Sequence, residues 1–252
     1  MSSELTQPER IRYLKQLQLP EIGETGQKRL KGASVLIIGA GGLGSPVSLY
    51  LAAAGVGRLG LVDSDKVELS NLQRQVIHST ETVGELKTRS AAEMIRSLNP
   101  EIFVEEKHLR LSSVNANEIV ADYQVLVDCT DNLSTRLLIN RACVDQQKPM
   151  IHGAVYRYEG QVSVFDSRSG PCYQCLFQKM PDETQIPDPA TNGLMATSPG
   201  VIGTLMANET LKYILGIGTL LIGRLLTVDL FSMHFQELHI QKNPQCPVCS
   251  HL

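Results

Sequence analysis

Apolar residues along this chain follow two rhythms, and the change between them divides the sequence. "ASVLIIG" (33–39), "RLGLVD" (58–63) and "QVLVDCTD" (124–131) are short, nearly unbroken apolar runs, the pattern of strands buried on both faces. Between and after them lie helical stretches: "SPVSLYLAAAG" (45–55), "KTRSAAEMIRSLN" (87–99), which Pro100 stops, and "LSTRLLINRACVDQQ" (133–147). "IFVEE" predicts a further short strand and "SVNANEIVADY" a helical piece. Ahead of these, residues 8–31 predict two helical segments split by "LPEIGETG", with Pro20 and Gly23 as breakers. Ser45 is placed to cap the 45–55 helix, Pro46 suits its first turn, and Gly55 suits its C-terminal end. Strands alternating with helices of this length predict a doubly wound, Rossmann-like α/β sheet, parallel in this half.

Past about residue 150 the helices thin out. "PMIHGAV", "GQVSVFD", "GRLLTVDL" and "MHFQELHI" read as strands, interrupted by one helix at 200–216, so this half of the sheet is expected to be mixed or antiparallel. Residues 179–199 hold four Pro and little apolar pattern, which predicts a long mobile loop of the kind that forms lids or crossing segments. No internal repeat is visible.

Composition narrows the setting. The 252 residues are 42% hydrophobic and 19% charged, ordinary for a globular protein. A net charge of −3, no Trp and only 5% aromatics argue against nucleic acid as a partner. The polar start "MSSELTQPERIRYLKQ" has no apolar core of a signal peptide, and no apolar run approaches the ~18 residues of a membrane span. Six Cys in such a chain point to reduced thiols or metal, and the expected location is cytoplasmic.

The candidate chemistry begins in "VLIIGAGGLGSP" (35–46). Gly39, Gly41 and Gly44 form G-x-G-x-x-G with Gly42 inside it; lacking Cβ atoms, the loop lets the backbone approach a phosphate at a helix N-terminus. Asp63 ends the second strand 19 residues beyond Gly44, where it can accept hydrogen bonds from ribose hydroxyls. NAD, FAD, SAM and ATP all use such a loop, so an NAD(P)-dependent oxidoreductase remains open on this motif. The following loop, "DSDKVELSNLQRQVIHS" (63–79), brings Asp65, Asn71, Arg74 and Gln75 to the C-terminal edge of the sheet, and Lys87 opens the next helix. Arg bridges phosphate oxygens bidentately and Lys supplies a point charge, a combination suited to a triphosphate. In "VLVDCTDN" (125–132), Asp128 and Asp131 reach the same edge; Asp131 facing a triphosphate suits Mg²⁺, although it could also cap the helix at 133. "CYQC" and "CPVC" supply four thiolates, Cys172, Cys175, Cys246 and Cys249, the set of a structural tetrahedral Zn²⁺ site. Cys129 and Cys143 read as small buried hydrophobes. Met195 and Met206 read as packing, and His78 and His152 receive no role.

Together "RYLKQ", "GAGGLGSP", "LVDSDKVELSNLQRQ", "VDCTDN", "CYQC", "GVIGTLMANETLK" and "CPVC", spread over residues 12–249, resemble the MoeB/ThiF/HesA family of ATP-dependent adenylyltransferases, related to the adenylating domain of ubiquitin-activating enzymes. The resemblance implies a homodimeric ATP–Mg²⁺ enzyme that adenylates the C-terminal Gly-Gly carboxylate of a small ubiquitin-like sulfur carrier and releases pyrophosphate. By motif match Asp63 would hold the ribose, and Asn71, Arg74 and Lys87 the phosphates, with Asp65, Gln75 and Asn132 in the same nucleotide site. Asp131 would bind Mg²⁺, and the four Cys would bind zinc. It implies one adenylyltransferase domain over 1–252: N-terminal helices to 32, a nucleotide-binding half over 33–154, and a carrier-binding and zinc half over 155–252. The carrier, and with it a molybdopterin, thiamin or other pathway, is not specified.

Two departures stand out. Relatives carry Arg where this chain has Lys15, a residue expected to reach the γ-phosphate from the partner subunit; Lys keeps the charge and loses the fork. Many relatives also hold a Cys in the long loop, about four residues before the position of Gly193. Here Pro189 or Ala190 stands there, and residues 176–245 contain no Cys. The expectation is a reaction that stops at the acyl-adenylate, with sulfur delivered by a separate donor. A non-catalytic carrier-binding scaffold of the same fold is the remaining alternative.

Overall fold

The computed structural model describes residues 4–177 and 192–251. Eight strands are found among them: β1 (Ser34–Ile38), β2 (Arg58–Val62), β3 (Phe103–Lys107), β4 (Val125–Asp128), β5 (Met150–Tyr156), β6 (Glu159–Phe165), β7 (Arg224–Asp229) and β8 (His234–His239). The helices are α1 (Gln7–Arg12), α2 (Leu14–Leu17), α3 (Gly23–Gly32), α4 (Gly44–Ala54), α5 (Lys87–Leu98), α6 (Ala116–Ala121), α7 (Leu133–Asp145) and α8 (Thr197–Leu215). The strands form one sheet in the order β3-β2-β1-β4-β5-β6-β7-β8. Pairing is parallel from β3 to β5 and antiparallel from β5 to β8, the expected change of character after residue 150.

The apolar runs are buried on both faces because alternate residues enter two cores. Val35 and Ile37 of β1 pack with residues of α4, α5 and α8, whereas Leu36 and Ile38 join residues of α6 and α7 on the other face. From β1 the chain steps outward through β2 and β3, then crosses back to β4 on β1's other side. The topological switch therefore falls between β1 and β4, where doubly wound sheets open a crevice for ligands. The strand ends are level there, since Ile38 is in register with Val62 of β2 and with Asp128 of β4.

The structure corrects several local expectations. The first helical segment divides at Tyr13, whose buried hydroxyl accepts a hydrogen bond from Asn99 Nδ2 at 2.8 Å. Gly23 opens α3 with φ +52° rather than lying within the break. Ser45 does not cap α4: no side chain does, and its hydroxyl donates instead to the Gly41 carbonyl at 2.7 Å. Gly55 does close α4, with φ +86°. The helix expected at 200 begins at Thr197, because Pro199 sits in the first turn, where its missing N–H costs nothing. Residues 179–191 of the predicted mobile loop lie outside the described residues. No helix among the described residues is long and apolar enough to cross a membrane.

Candidate active site

The glycine loop between β1 and α4 is shaped by two contacts that exclude side chains. Gly39 has φ +98°, and a Cβ on it would meet the Cys129 carbonyl at 2.8 Å. A Cβ on Gly44 would lie 2.0 Å from the Gly39 carbonyl oxygen, so the loop can close only with glycine. No side chain caps α4; its Ser45 N–H bonds back to the Gly41 carbonyl at 2.9 Å, and Pro46 in the same turn has no N–H.

The neighbouring elements converge on this loop. Asp63, at the end of β2, accepts the Ala40 N–H through Oδ2 and the Asp65 N–H through Oδ1, both at 2.8 Å. Each oxygen keeps a lone pair for a further donor. In the loop after β2, Gln75 is buried against Gly41, and a Cβ on Gly42 would lie 3.7 Å from Arg74 Cδ. Gln75 Oε1 is a buried acceptor with no partner among the described residues. Arg74 donates to the Ser70 carbonyl at 3.2 Å. Asn71 accepts backbone N–H bonds from Arg74 and Gln75, which holds both in a tight turn. The largely buried Lys87 ammonium pairs with the Asp65 carboxylate at 3.0 Å.

His78, which the sequence left without a role, fastens this assembly. Its ring spans Ala40 O and Ser90 Oγ, both at 2.9 Å, joining the glycine loop to α5. A carbonyl only accepts, so Nε2 carries the proton, and Nδ1 lies beside the Ser90 hydroxyl, which donates to Thr82 Oγ1 at 3.0 Å. Burial pulls the His78 pKa below its ordinary value, and the nearby Lys87 charge adds to that.

At the end of β4, Asn132 rather than Asp131 caps α7, accepting the Thr135 N–H at 2.9 Å. That leaves the exposed Asp131 carboxylate with one weak local partner, Asn132 Nδ2 at 3.4 Å. The Asn132 carbonyl is committed to the cap, so only its amide N–H groups could serve a nucleotide. Lys15 is not brought to this loop within one chain. Its neighbour Gln16 binds the Ala54 carbonyl at 3.0 Å, at the C-terminal end of α4. The glycine loop lies at the other end of that helix, roughly 16 Å away at 1.5 Å per residue.

The four Cys meet through the fold. Cys172–Cys175, Cys172–Cys246 and Cys175–Cys249 sulfurs are 3.8, 3.7 and 3.5 Å apart, and all four lie within 4.8 Å of one another. Disulfides would need about 2.05 Å; ligands about 2.3 Å from a tetrahedral Zn²⁺ sit about 3.8 Å apart. Burial and the neighbouring sulfurs push the Cys172 thiol up, and a dication is what would let all four Cys bind it as thiolates. The cluster packs against Val144 of α7.

Residues 13–248 match the ThiF family. The chain belongs to the ThiF family. This ThiF-family chain is 49% identical to the sulfur carrier protein adenylyltransferase of Thermus thermophilus, an alignment covering 97% of this chain and 92% of that protein. It is 45% identical to the SAMP-activating enzyme E1 of Haloferax volcanii over 94% of this chain and 88% of the relative. Among solved structures, E. coli MccB with ATP aligns with TM-score 0.77 and 26% identity, covering 88% of this chain and 68% of that one. The first is named as an adenylyltransferase, the second as an activating enzyme, and the third was solved with ATP, which leaves the NAD(P)-dependent oxidoreductase without support.

Proposed function

We propose that this ThiF-family chain uses ATP to adenylate the C-terminal Gly-Gly carboxylate of a small ubiquitin-like sulfur carrier, releasing pyrophosphate. What carries this reading is the convergence, at the β1–β4 switch, of an uncapped helix N-terminus, a ribose-side carboxylate and two cations around one glycine loop. In this reading the whole chain is one adenylating domain. Residues 33–154 bind the nucleotide, 155–252 receive the carrier, and the helices before 33 pack against them.

A carboxylate is already a nucleophile at neutral pH, so the reaction needs no general base. The obstacle is repulsion between the carboxylate and the triphosphate. Asp63 holds the ribose, which fixes the α-phosphorus relative to the carrier tail. Asn71, Arg74 and Gln75 hold the phosphate chain, and Lys87, positioned by Asp65, faces the charge that develops on pyrophosphate. Asp131, released from capping by Asn132, would ligate Mg²⁺, which when bound neutralises phosphate charge. Cys172, Cys175, Cys246 and Cys249 would hold Zn²⁺ as a structural staple.

The second subunit of a homodimer would bring Lys15 to the nucleotide, since each chain's own Lys15 lies at the far end of α4. A covalent thiol step has no candidate. Cys129 and Cys143 are buried with their pKa values pushed up, and the other four Cys form the quartet. Pro189 and Ala190, outside the described residues, are not thiols. The chain therefore stops at the acyl-adenylate, in the reducing cytoplasm, and a separate protein donates sulfur.

The test is ATP–pyrophosphate exchange with a Gly-Gly-tailed carrier. Exchange should depend on the carrier and fall about 10²- to 10³-fold in Arg74→Ala and in Asp131→Ala, the scale of losing one charge-stabilising group. Exchange undiminished in both variants would remove these residues from the reaction.

A further inference from the structure

One buried polar cluster belongs neither to the phosphate-facing residues nor to the Cys quartet, yet it lies between them. Asp128 ends β4 and is in register with His152 of β5; both side chains have no solvent exposure. His152 Nδ1 lies 2.7 Å from Asp128 Oδ2. Burial opposes the Asp128 carboxylate, but the His152 hydrogen bond and electrostatic attraction, the Arg136 charge and the Thr130 hydrogen bond together outweigh it and keep the pKa below its ordinary value. Burial holds the His152 pKa down as well. The pair is thus a carboxylate with a neutral imidazole that carries its proton on Nδ1. The other ring nitrogen, Nε2, has no partner among the described residues.

The remaining contacts of this pair run in two directions. Toward the nucleotide crevice, Asp128 Oδ1 accepts the Thr130 N–H at 3.1 Å and the Thr130 hydroxyl at 2.6 Å. Arg136 Nη2 donates to the Thr130 carbonyl at 2.8 Å, so the residue before Asp131 is held by its amide, hydroxyl and carbonyl together. Toward the Cys quartet, the His152 ring packs on Tyr173 with centroids 4.7 Å apart and on Phe165 at 6.0 Å. The Tyr173 N–H donates to Asn140 Oδ1 at 2.8 Å, and Asn140 Nδ2 approaches Cys172 Sγ at 3.7 Å. An aromatic hydrocarbon would fill the niche against Tyr173 and Phe165 without leaving a buried nitrogen unpaired. The imidazole supplies what that side chain lacks, an Nδ1–H aimed at Asp128.

We infer that His152 is a positioning residue for the proposed adenylation: its bond to Asp128 sets the Thr130 turn that presents Asp131, and its ring ties that turn to the quartet side of α7. The inference rests on the adenylation reading for its catalytic consequence, while the positioning stands on geometry alone. His152 touches neither nucleotide nor carrier and acts only through Asp128 and Thr130.

The test uses the full chain loaded with Zn²⁺, comparing His152→Phe, which keeps ring packing and loses the donor, with His152→Asn, whose Nδ2 can replace Nδ1. Amide hydrogen exchange in the 129–133 segment reports the turn without any nucleotide. The expected result is exchange at least about tenfold faster in His152→Phe and near wild type in His152→Asn. In ATP–pyrophosphate exchange, His152→Phe should need about tenfold more Mg²⁺ for half-maximal rate, the scale seen when an outer partner of a metal ligand is lost, with the carrier KM unchanged. His152→Asn should restore it. Nitrogen-15 NMR of the wild-type chain covers the case in which His152→Phe fails to fold: the Nδ1–H tautomer is expected, and an Nε2–H tautomer overturns the inference. Wild-type protection of the segment in His152→Phe, or equal loss in both variants, also overturns it. A wild-type chain with no pyrophosphate exchange at all would sink the adenylation reading and leave the amide and NMR results to judge the positioning.

Discussion

His78 shows how one side chain can hold a site without touching its ligand. The ring bridges Ala40 and Ser90 inside the fold, where burial favours the neutral imidazole. Its pKa is lowered by burial, as is that of His152. An unfolded chain protonates His near 6.5, whereas the folded chain resists until lower pH. The stability is therefore fully present above that value and is lost as pH falls below it. Melting temperature should fall as pH drops from about 6.5 to 5 and fall less steeply in His78→Gln; parallel curves would show that His78 carries none of this dependence. The sequence could not disclose such a role, because a lone His has no pattern and its partners lie 12 and 38 positions away. Asp131 and Asn132 show the same limit at closer range. Either could cap the following helix, and only the backbone geometry assigns the cap to Asn132.

Elements were more legible than residues, for a physical reason. Strands β1, β2 and β4 are covered on both faces, so nearly every position must be apolar and the runs stand out. The start of α8 was hidden because Pro199 reads as a breaker, yet it occupies the first turn and packs against Gly42. The seat of α8 on α4 also depends on a glycine: a Cβ on Gly203 would meet the Leu43 carbonyl at 2.6 Å and Pro46 at 2.5 Å. The tightest constraint is in the loop itself. Gly44→Ala should lower stability by about 1–3 kcal/mol, the cost typical of overpacking, and should weaken ATP binding beyond that. Denaturant unfolding and calorimetric titration with ATP check both; wild-type values in each would mean that the Gly39–Gly44 approach relaxes freely.

At the scale of the molecule, the parallel half carries the switch-point crevice and the antiparallel half carries an exposed edge strand, β8. The chain continues from that edge back to α7, where the Cys quartet joins residues 172–175 to 246–249. The paired C-x-x-C motifs were legible at any separation because thiolates at that spacing have few other uses; where they would meet was set by the fold. One Zn²⁺ per chain should be found by native mass spectrometry. Chelation should lower the melting temperature and expose the segment after Ile240 to protease before the nucleotide half. A chain with no metal and an unchanged melting curve would reject the staple.

In the proposed reaction the carrier's terminal carboxylate becomes an acyl-adenylate. Intact-mass spectrometry of a Gly-Gly-tailed carrier, incubated with this chain, ATP and Mg²⁺, measures that directly. The predicted result is a carrier heavier by one AMP unit, with no covalent chain–carrier species. A carrier that returns unmodified with every Gly-Gly tail tried, or a thioester between carrier and chain, would contradict it.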